Sequence, residues 1–178
     1  MPIRFFLYFI LLFMLTACNL DEKIKDVTTF NITNNVNFSI PSSAVVDLPV
    51  DLNTPDVSSS SQQSFENNNT RADLVENANL KELTLTITSP EARTFKFLRS
   101  VKIYISNDTK GETLLAEKNE IPTDIGSILE LETTGANLDE YIKESTYDLR
   151  YDVVIRESVN STTEINAKMV FEVRAKIL

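Results

Sequence analysis

Apolar and polar residues alternate along most of the chain, and this period of two constrains the fold more than any other feature. Successive side chains of a β-strand point to opposite faces of its sheet, so each alternating run predicts a strand with one apolar face. Antiparallel sheets with one solvated face give this pattern, whereas parallel sheets give continuous apolar runs. The sequence therefore predicts an all-β, mainly antiparallel protein. The clearest apolar sets are Leu83, Leu85 and Ile87; Val101, Ile103 and Ile105; Tyr147, Leu149, Tyr151, Val153 and Ile155; and Ala167, Met169, Phe171, Val173 and Ala175.

About seven or eight such strands favour two sheets packed face to face in a β-sandwich. The first is predicted over residues 27–40, and residues 147–155 and 167–175 are expected to form a long hairpin that ends the fold. The architecture resembles immunoglobulin-like and fibronectin-like domains in the broad sense. The Cys…Trp…Cys pattern of true immunoglobulin domains is absent, because the chain has one cysteine and no tryptophan.

Two segments between these strands carry weaker signals. Pro49 and Pro55 interrupt the alternation of residues 45–57, so this stretch is predicted to be an edge strand or an extended lead-in. Residues 58–69 are rich in Ser, Gln and Asn and are predicted to be an exposed loop, with Phe65 docking on the core.

One or two short helices complete the predicted fold. Thr70 and Asp73 stand as N-cap and third helical position, which predicts a helix from Thr70 to about Asn79. Asn137 and Glu140 stand in the same relation and predict a helix over residues 137–142.

The first eighteen residues differ from the rest of the chain. Arg4 is the only charged residue before Asp21, and residues 5–15 are an uninterrupted apolar run. This run has the length of the apolar region of a signal peptide and is shorter than the roughly 20 residues that span a bilayer. Leu15-Thr16-Ala17-Cys18 follows and resembles the lipobox of bacterial lipoproteins.

This resemblance implies that Cys18 is a lipid attachment site. In bacterial lipoproteins a peptidase recognises the positions of Leu15, Thr16 and Ala17, and the cysteine thiol carries a diacylglyceryl group. The new amino group is often acylated too, with a fatty acid such as palmitate. Two or three acyl chains anchor a protein stably in a membrane. The alternatives are an ordinary secretory signal with an unrelated cysteine, or a buried hydrophobic helix.

The resulting organisation has three parts. Residues 1–17 are predicted to be a signal-peptide helix, residues 18–26 an acylated cysteine with its tether, and residues 27–178 a single β-sandwich domain. Asp21 and Glu22 resemble an acidic export signal of some Gram-negative lipoproteins, although a solvated tether has the same composition. We therefore expect a lipid-anchored protein of the bacterial cell envelope, at the outer membrane and in one alternative displayed on the cell surface.

Composition excludes several kinds of site. The chain has no histidine, which rules out Ser-His-Asp triads, Cys-His pairs and imidazole metal sites. Its three glycines form no phosphate-binding loop. The net charge of −9 argues against nucleic acid as a partner and against an electrostatic attachment to anionic lipid. No cofactor or metal is predicted.

Charged residues around Arg150 are one candidate surface. They lie on the polar face of a predicted strand and suit either a binding or acid–base surface or, as we favour, an outer face with cross-strand ion pairs. The set is Asp148, Arg150, Asp152 and Arg156, and its expected partners are Lys168, Glu172 and Arg174 on the neighbouring strand.

Two further candidates are an oxygen-rich stretch and a tyrosine. Residues 47–56 include Asp47, Asp51, Asn53 and Asp56, but their spacing departs from calcium-binding loops, so a solvated loop is expected. Tyr104 is predicted on the outer face of its strand as a contact residue, whereas Tyr147 and Tyr151 are expected in the core.

These observations favour a non-catalytic, membrane-anchored lipoprotein whose β-sandwich binds a protein or glycan partner. A periplasm-facing structural or assembly subunit of an envelope complex is the alternative. A hydrolase built on paired carboxylates is a third hypothesis, for which no residue spacing stands out.

Overall fold

The computed structural model describes residues 27–178, so the predicted signal-peptide helix, Cys18 and the tether lie outside the described residues. No helix in the described part is long and apolar enough to cross a membrane. Nine strands in this part form two sheets: β1 (Val27–Ile40), β2 (Pro49–Ser58), β3 (Val75–Ser89), β4 (Leu98–Ser106), β5 (Thr113–Lys118), β6 (Ile128–Glu130), β7 (Glu132–Thr133), β8 (Thr146–Ile155) and β9 (Thr163–Lys176). The helices are α1 (Ser61–Asn67) and α2 (Asp139–Ile142), and 3₁₀ turns occupy Ala72–Leu74 and Phe95–Phe97.

The strands pair as a nested antiparallel set. β1 pairs with β9, β2 with β8, β3 with β6, and β4 with β5. Additional pairing of β9 with β3 and of β8 with β4 closes two sheets, in the orders β1-β9-β3-β6 and β2-β8-β4-β5-β7. The predicted all-β antiparallel sandwich is thus confirmed. Because β1 to β4 alternate between the sheets, the strand order is that of a jelly roll.

The predicted terminal hairpin is wrong. β8 lies in the five-stranded sheet and β9 in the four-stranded sheet, so the two strands face each other across the core and are not paired side by side. Alternation specifies which face of a strand is buried, and both strands bury the expected face. It does not specify the neighbouring strand, which depends on long-range pairing.

Aromatic side chains join the two sheets through the core. Phe38 of β1 stacks on Tyr151 of β8 with ring centroids 4.0 Å apart. Tyr147 of β8 meets Phe171 of β9 edge to face at 6.3 Å. All four rings are buried, which confirms the core positions predicted for Tyr147 and Tyr151.

The connecting segments confirm some predictions and correct others. β2 is an edge strand, as predicted, with an irregularity between Thr54 and Val57. Residues 58–69 are not a loop throughout, because α1 forms there, but Phe65 does dock and is 1 % exposed. Its ring packs edge to face on Phe30 at 6.2 Å, and this contact gives α1 the buried face that its polar sequence does not reveal.

The helix predicted from Thr70 to Asn79 is wrong. A single 3₁₀ turn forms, and β3 begins at Val75, which pairs with Ala175 of β9. The Thr70 hydroxyl donates to the carbonyl oxygen of Lys176 at 2.6 Å and does not cap a helix. Tertiary pairing with β9 therefore overrides the local helix signal.

The second predicted helix is confirmed as α2. Asn137 Oδ1 accepts a hydrogen bond from the backbone N–H of Asp139 at 3.0 Å, close to the expected cap. Glu140 does not close a capping box, because its carboxylate binds Lys143 Nζ at 3.0 Å.

The buried tyrosines predict a loss of stability at alkaline pH. Burial raises the pKa of Tyr151 to about 12 and raises the pKa of Tyr147 as well. Unfolded tyrosine ionises near pH 10, so between pH 10 and 12 the unfolded state loses protons that the folded state retains. Tyr151 should account for a loss of about 2–3 kcal/mol in the free energy of unfolding across this range.

Denaturant unfolding of the Tyr151→Phe variant at several pH values measures this contribution. The phenylalanine ring keeps the stack on Phe38 and removes the ionisable group, so stability should fall less steeply above pH 10. Tyr104→Phe, on the outer face, is the matched control for removal of a tyrosine hydroxyl group. Identical slopes for Tyr151→Phe and wild type would contradict the assignment.

Candidate functional site

The four connections at one end of the sandwich form its candidate functional site. β1 runs from Val27 to Ile40, and this length corresponds to about 45 Å at roughly 3.3 Å per residue. At its far end Ile40 pairs with Thr163, and Ser89 with Glu164. The connections that meet there, residues 41–48, 90–97, 119–127 and 156–162, are called the distal loops.

Backbone hydrogen bonds fix the distal loops to the strand ends and to one another. The N–H of Asp47 donates to the carbonyl oxygen of Ile155 at 2.9 Å. Phe95 N–H donates to Gly126 O, and Ile121 N–H donates to Arg99 O, both at 2.9 Å. The loops therefore form one connected surface.

Arg156 links segments of the distal loops and β4 through hydrogen bonds to their backbone carbonyls. Its Nε donates to the carbonyl oxygen of Leu98 at 3.0 Å, its Nη2 donates to the carbonyl oxygen of Ile121, and its backbone N–H donates to Phe97 O at 2.8 Å. The sequence placed Arg156 in an exposed charged row. In the structure its guanidinium instead satisfies carbonyl groups of two other segments.

Open clefts separate the distal loops. One of about 520 Å³ lies between residues 90–97 and residues 157–160, where Arg93 Nη2 donates to Ser161 Oγ at 2.9 Å. A neighbouring cleft of about 700 Å³ continues from the same loop to Ser127. A third, of about 530 Å³, lies beside Arg99 and Arg156.

The chemistry of these clefts is that of polar recognition. Lys96 and Arg93 supply hydrogen-bond donors to the first cleft, and Glu91 and Glu157 supply acceptors. Such mixed, solvent-accessible groups suit peptide or carbohydrate groups, which carry both donors and acceptors. These residues have no signature in the sequence, because charged loop residues carry no periodic signal and become neighbours only through the fold.

Arg150, in the predicted charged surface, is paired with other residues of the same domain. Arg150 binds Glu112 through Nε at 2.6 Å and Nη2 at 2.7 Å, and it binds Asp51 through Nη1 at 2.7 Å. Its guanidinium also lies 4.1 Å from the ring centroid of Tyr104. The hydrogen bonds from Arg150 lower the pKa of the Glu112 carboxyl. The predicted contact residue Tyr104 is thus partly covered by an internal partner.

The predicted cross-strand ion pairs exist, but with other partners. Lys168 of β9 pairs with Glu82, Glu172 with Lys81, and Arg174 with Glu76, all on β3. The expected pairing between β8 and β9 is wrong because the two strands belong to different sheets.

The three aspartates of residues 47–56 lie at separate places and do not converge on one site. Asp47 pairs with Arg99 and Asp51 with Arg150, on different strands. Asp56 lines a small acidic cleft of about 190 Å³ at the end of the sandwich near Val27, with Asp108, Glu144 and Asp148. Within residues 27–178 no group of three or more acidic residues is arranged to hold a metal ion.

The predicted lipid-attachment residue and its neighbours are not positioned by the structure. The described residues do not include Cys18, the recognition residues Leu15, Thr16 and Ala17, or the acidic residues Asp21 and Glu22.

Comparison with known proteins yields distant structural similarity alone. No family model and no curated protein matches the chain. Among solved structures, the chain is similar to a decameric BFDV capsid protein, at 12% identity over 84% of this chain and 99% of that chain, with a TM-score of 0.39. The match to Desmodium yellow mottle tymovirus has 16% identity over 92% of this chain and 97% of that chain, with a TM-score of 0.28. The match to infectious bursal disease virus VP2 has 12% identity over 91% of this chain and 42% of that chain, with a TM-score of 0.30. Similarities this weak carry no argument about function.

The role of Arg156 predicts a specific loosening of the distal loops. Arg156→Met keeps most of the side-chain length and removes the hydrogen bonds to Leu98 and Ile121. A bond from a charged donor contributes about 1.5–3 kcal/mol, so we expect the free energy of unfolding to fall by about 2 kcal/mol. Hydrogen exchange should accelerate at the Ile121 amide.

Arg93→Met is the matched control for this variant. Arg93 donates to the exposed side chains of Asn160 and Ser161, and its guanidinium lies 6.0 Å from the ring centroid of Phe97. Because it bonds no backbone carbonyl through its side chain, its replacement should cost less than about 1 kcal/mol. Equal losses in the two variants, or unchanged exchange at Ile121 in Arg156→Met, would show that Arg156 does not fasten the loops.

Proposed function

We propose that this chain is a lipid-anchored, non-catalytic protein of the bacterial cell envelope that presents its distal loops to a protein or glycan partner. One observation carries the proposal. The described residues begin with β1 at Val27, and the three clefts of the distal loops open at the opposite end.

Chain dimensions support this orientation. Residues 18–26 can extend to at most about 30 Å, and β1 adds about 45 Å between Val27 and the distal loops. An anchor at Cys18 therefore leaves the distal loops free to face away from the membrane. Scaffolded loops of this kind are where binding residues concentrate in β-sandwich domains.

Charge supports the same orientation. The chain has a net charge of −9, and four carboxylates surround the small cleft at the Val27 end. Anionic lipid headgroups repel this end of the domain, whereas a polybasic surface would bind them. Attachment then rests on the acyl chains, and the domain stands clear of the bilayer.

The anchor is tested by replacing the acylated thiol. Cys18→Ser should abolish labelling by a clickable palmitate analogue and leave an uncleaved or mislocalised precursor. Asn19→Ser, at the neighbouring position, is the control and should be labelled and processed like wild type. Persistent labelling of Cys18→Ser would show that Cys18 is not the acylation site.

The display of the distal loops is tested by photo-cross-linking in cells. A photoreactive amino acid at Lys96, in the first distal cleft, should give adducts with a protein or glycan. The same amino acid at Asp108, at the Val27 end, is the matched control and should give none. Adducts at Asp108 alone, or at neither position, would contradict the proposal.

Protease added to intact cells distinguishes the two possible locations. Cleavage of the domain before lysis indicates display on the cell surface, and full protection until lysis indicates a periplasm-facing protein.

A further inference from the structure

The outer edge of β1 is the least protected edge of the two sheets. Unpaired strand edges carry free N–H and C=O groups that can pair with another strand, and proteins usually protect them. β6 and β7 are edges of three and two residues. β2 carries Pro49 and Pro55 and an irregularity after Thr54. β1 has no such feature, because its 14 residues contain no proline and pair with β9 without a register shift.

The backbone of β1 is open along this edge. In an antiparallel pair, alternate residues direct their N–H and C=O groups away from the partner strand. Across residues 27–178, no hydrogen bond from another segment reaches the outer backbone groups of β1. Within the described residues, a further strand can therefore add there without displacing an existing hydrogen bond.

Charge favours a second copy of this chain as that strand. The chain is 24% charged with a net charge of −9, so two copies repel each other over most of their surface. No charged residue occurs between Val27 and Val46. The edge of β1 is thus a place where two copies meet without opposing like charges.

The sequence of β1 is also self-complementary in one antiparallel register. A two-fold axis at Asn34 places Ile32 opposite Val36 of the second copy and Phe30 opposite Phe38. On the outer face it places Thr33 opposite Asn35 and Asn31 opposite Asn37. Apolar residues then neighbour apolar residues, and amides and hydroxyls neighbour one another, as stable cross-strand pairs require.

The central residue of that register carries an unpartnered polar atom. Asn34 is 3 % exposed, and its Nδ2 donates to the Tyr147 hydroxyl at 2.6 Å. Its buried Oδ1 has no hydrogen-bond partner in the described residues. Such an atom costs free energy unless it is satisfied. In the two-fold register Asn34 lies opposite its own equivalent, whose amide has a second hydrogen to donate.

We propose that β1 pairs with β1 of a second copy, antiparallel and centred on Asn34, to join the two four-stranded sheets into one. This contact uses the lateral edge of the sandwich and leaves the distal loops free. It does not depend on lipid attachment, so the two proposals succeed or fail separately.

A charge exchange on the full-length chain tests the register. Asn31→Lys combined with Asn37→Lys places like charges opposite each other at both ends of the interface. Co-purification of two differently tagged, co-expressed copies in mild detergent should then fall at least about tenfold. Asn31→Lys combined with Asn37→Glu places opposite charges together and should restore it. Thr86→Lys, on the outer face of the inner strand β3, controls for added charge and should behave as wild type.

Disulfide formation tests the contact directly. One tagged copy carries Thr33→Cys and the other Asn35→Cys, and a heterodimer should appear on a non-reducing gel. Lys168→Cys in place of Asn35→Cys is the control and should give none. The proposal is overturned if wild-type copies do not co-purify, if the double-lysine variant still associates, or if Thr33→Cys links to a different protein.

Discussion

The structure depends on aromatic packing between its two sheets. Phe38 and Phe171 come from the four-stranded sheet, and Tyr151 and Tyr147 come from the five-stranded sheet. Each sheet is solvated on its outer face, so its apolar face is stable only when the other sheet covers it. The two contacts belong to one continuous hydrophobic core that holds the sheets against each other and thereby positions the loops at the strand ends.

The surface around this core has parts that differ in how readily they can bind a partner. The outer face around Arg150 is occupied by its own ion pairs, and the surface between β3 and β9 is similarly paired. The distal loops and the edge of β1 differ, because polar groups there are open to solvent. Binding at these two places breaks few contacts within the protein, whereas binding at the ion-paired faces would require breaking existing ion pairs.

Much of the sandwich could be predicted, and the failures share one cause. The buried faces of β1, β4, β8 and β9 follow from alternation, since burial of one face has a direct sequence signature. The failed hairpin, the failed helix after Thr70 and the unexpected α1 all depend on partners distant in sequence. The contacts of the distal-loop residues also depend on partners distant in sequence, because these loops become neighbours only when both sheets have formed. This applies to Arg93, Lys96 and Arg156.

The sequence by itself determined that the chain is β-rich, that its strands each bury one face, and that histidine-based chemistry is impossible. It also carries the resemblance of Leu15-Thr16-Ala17-Cys18 to a lipobox. Tertiary structure decided which strands pair, which edge stays open and which loops gather opposite Val27. The physical reason is that a period of two records burial, which is local, whereas strand order reflects the packing of two whole sheets, which no single segment encodes.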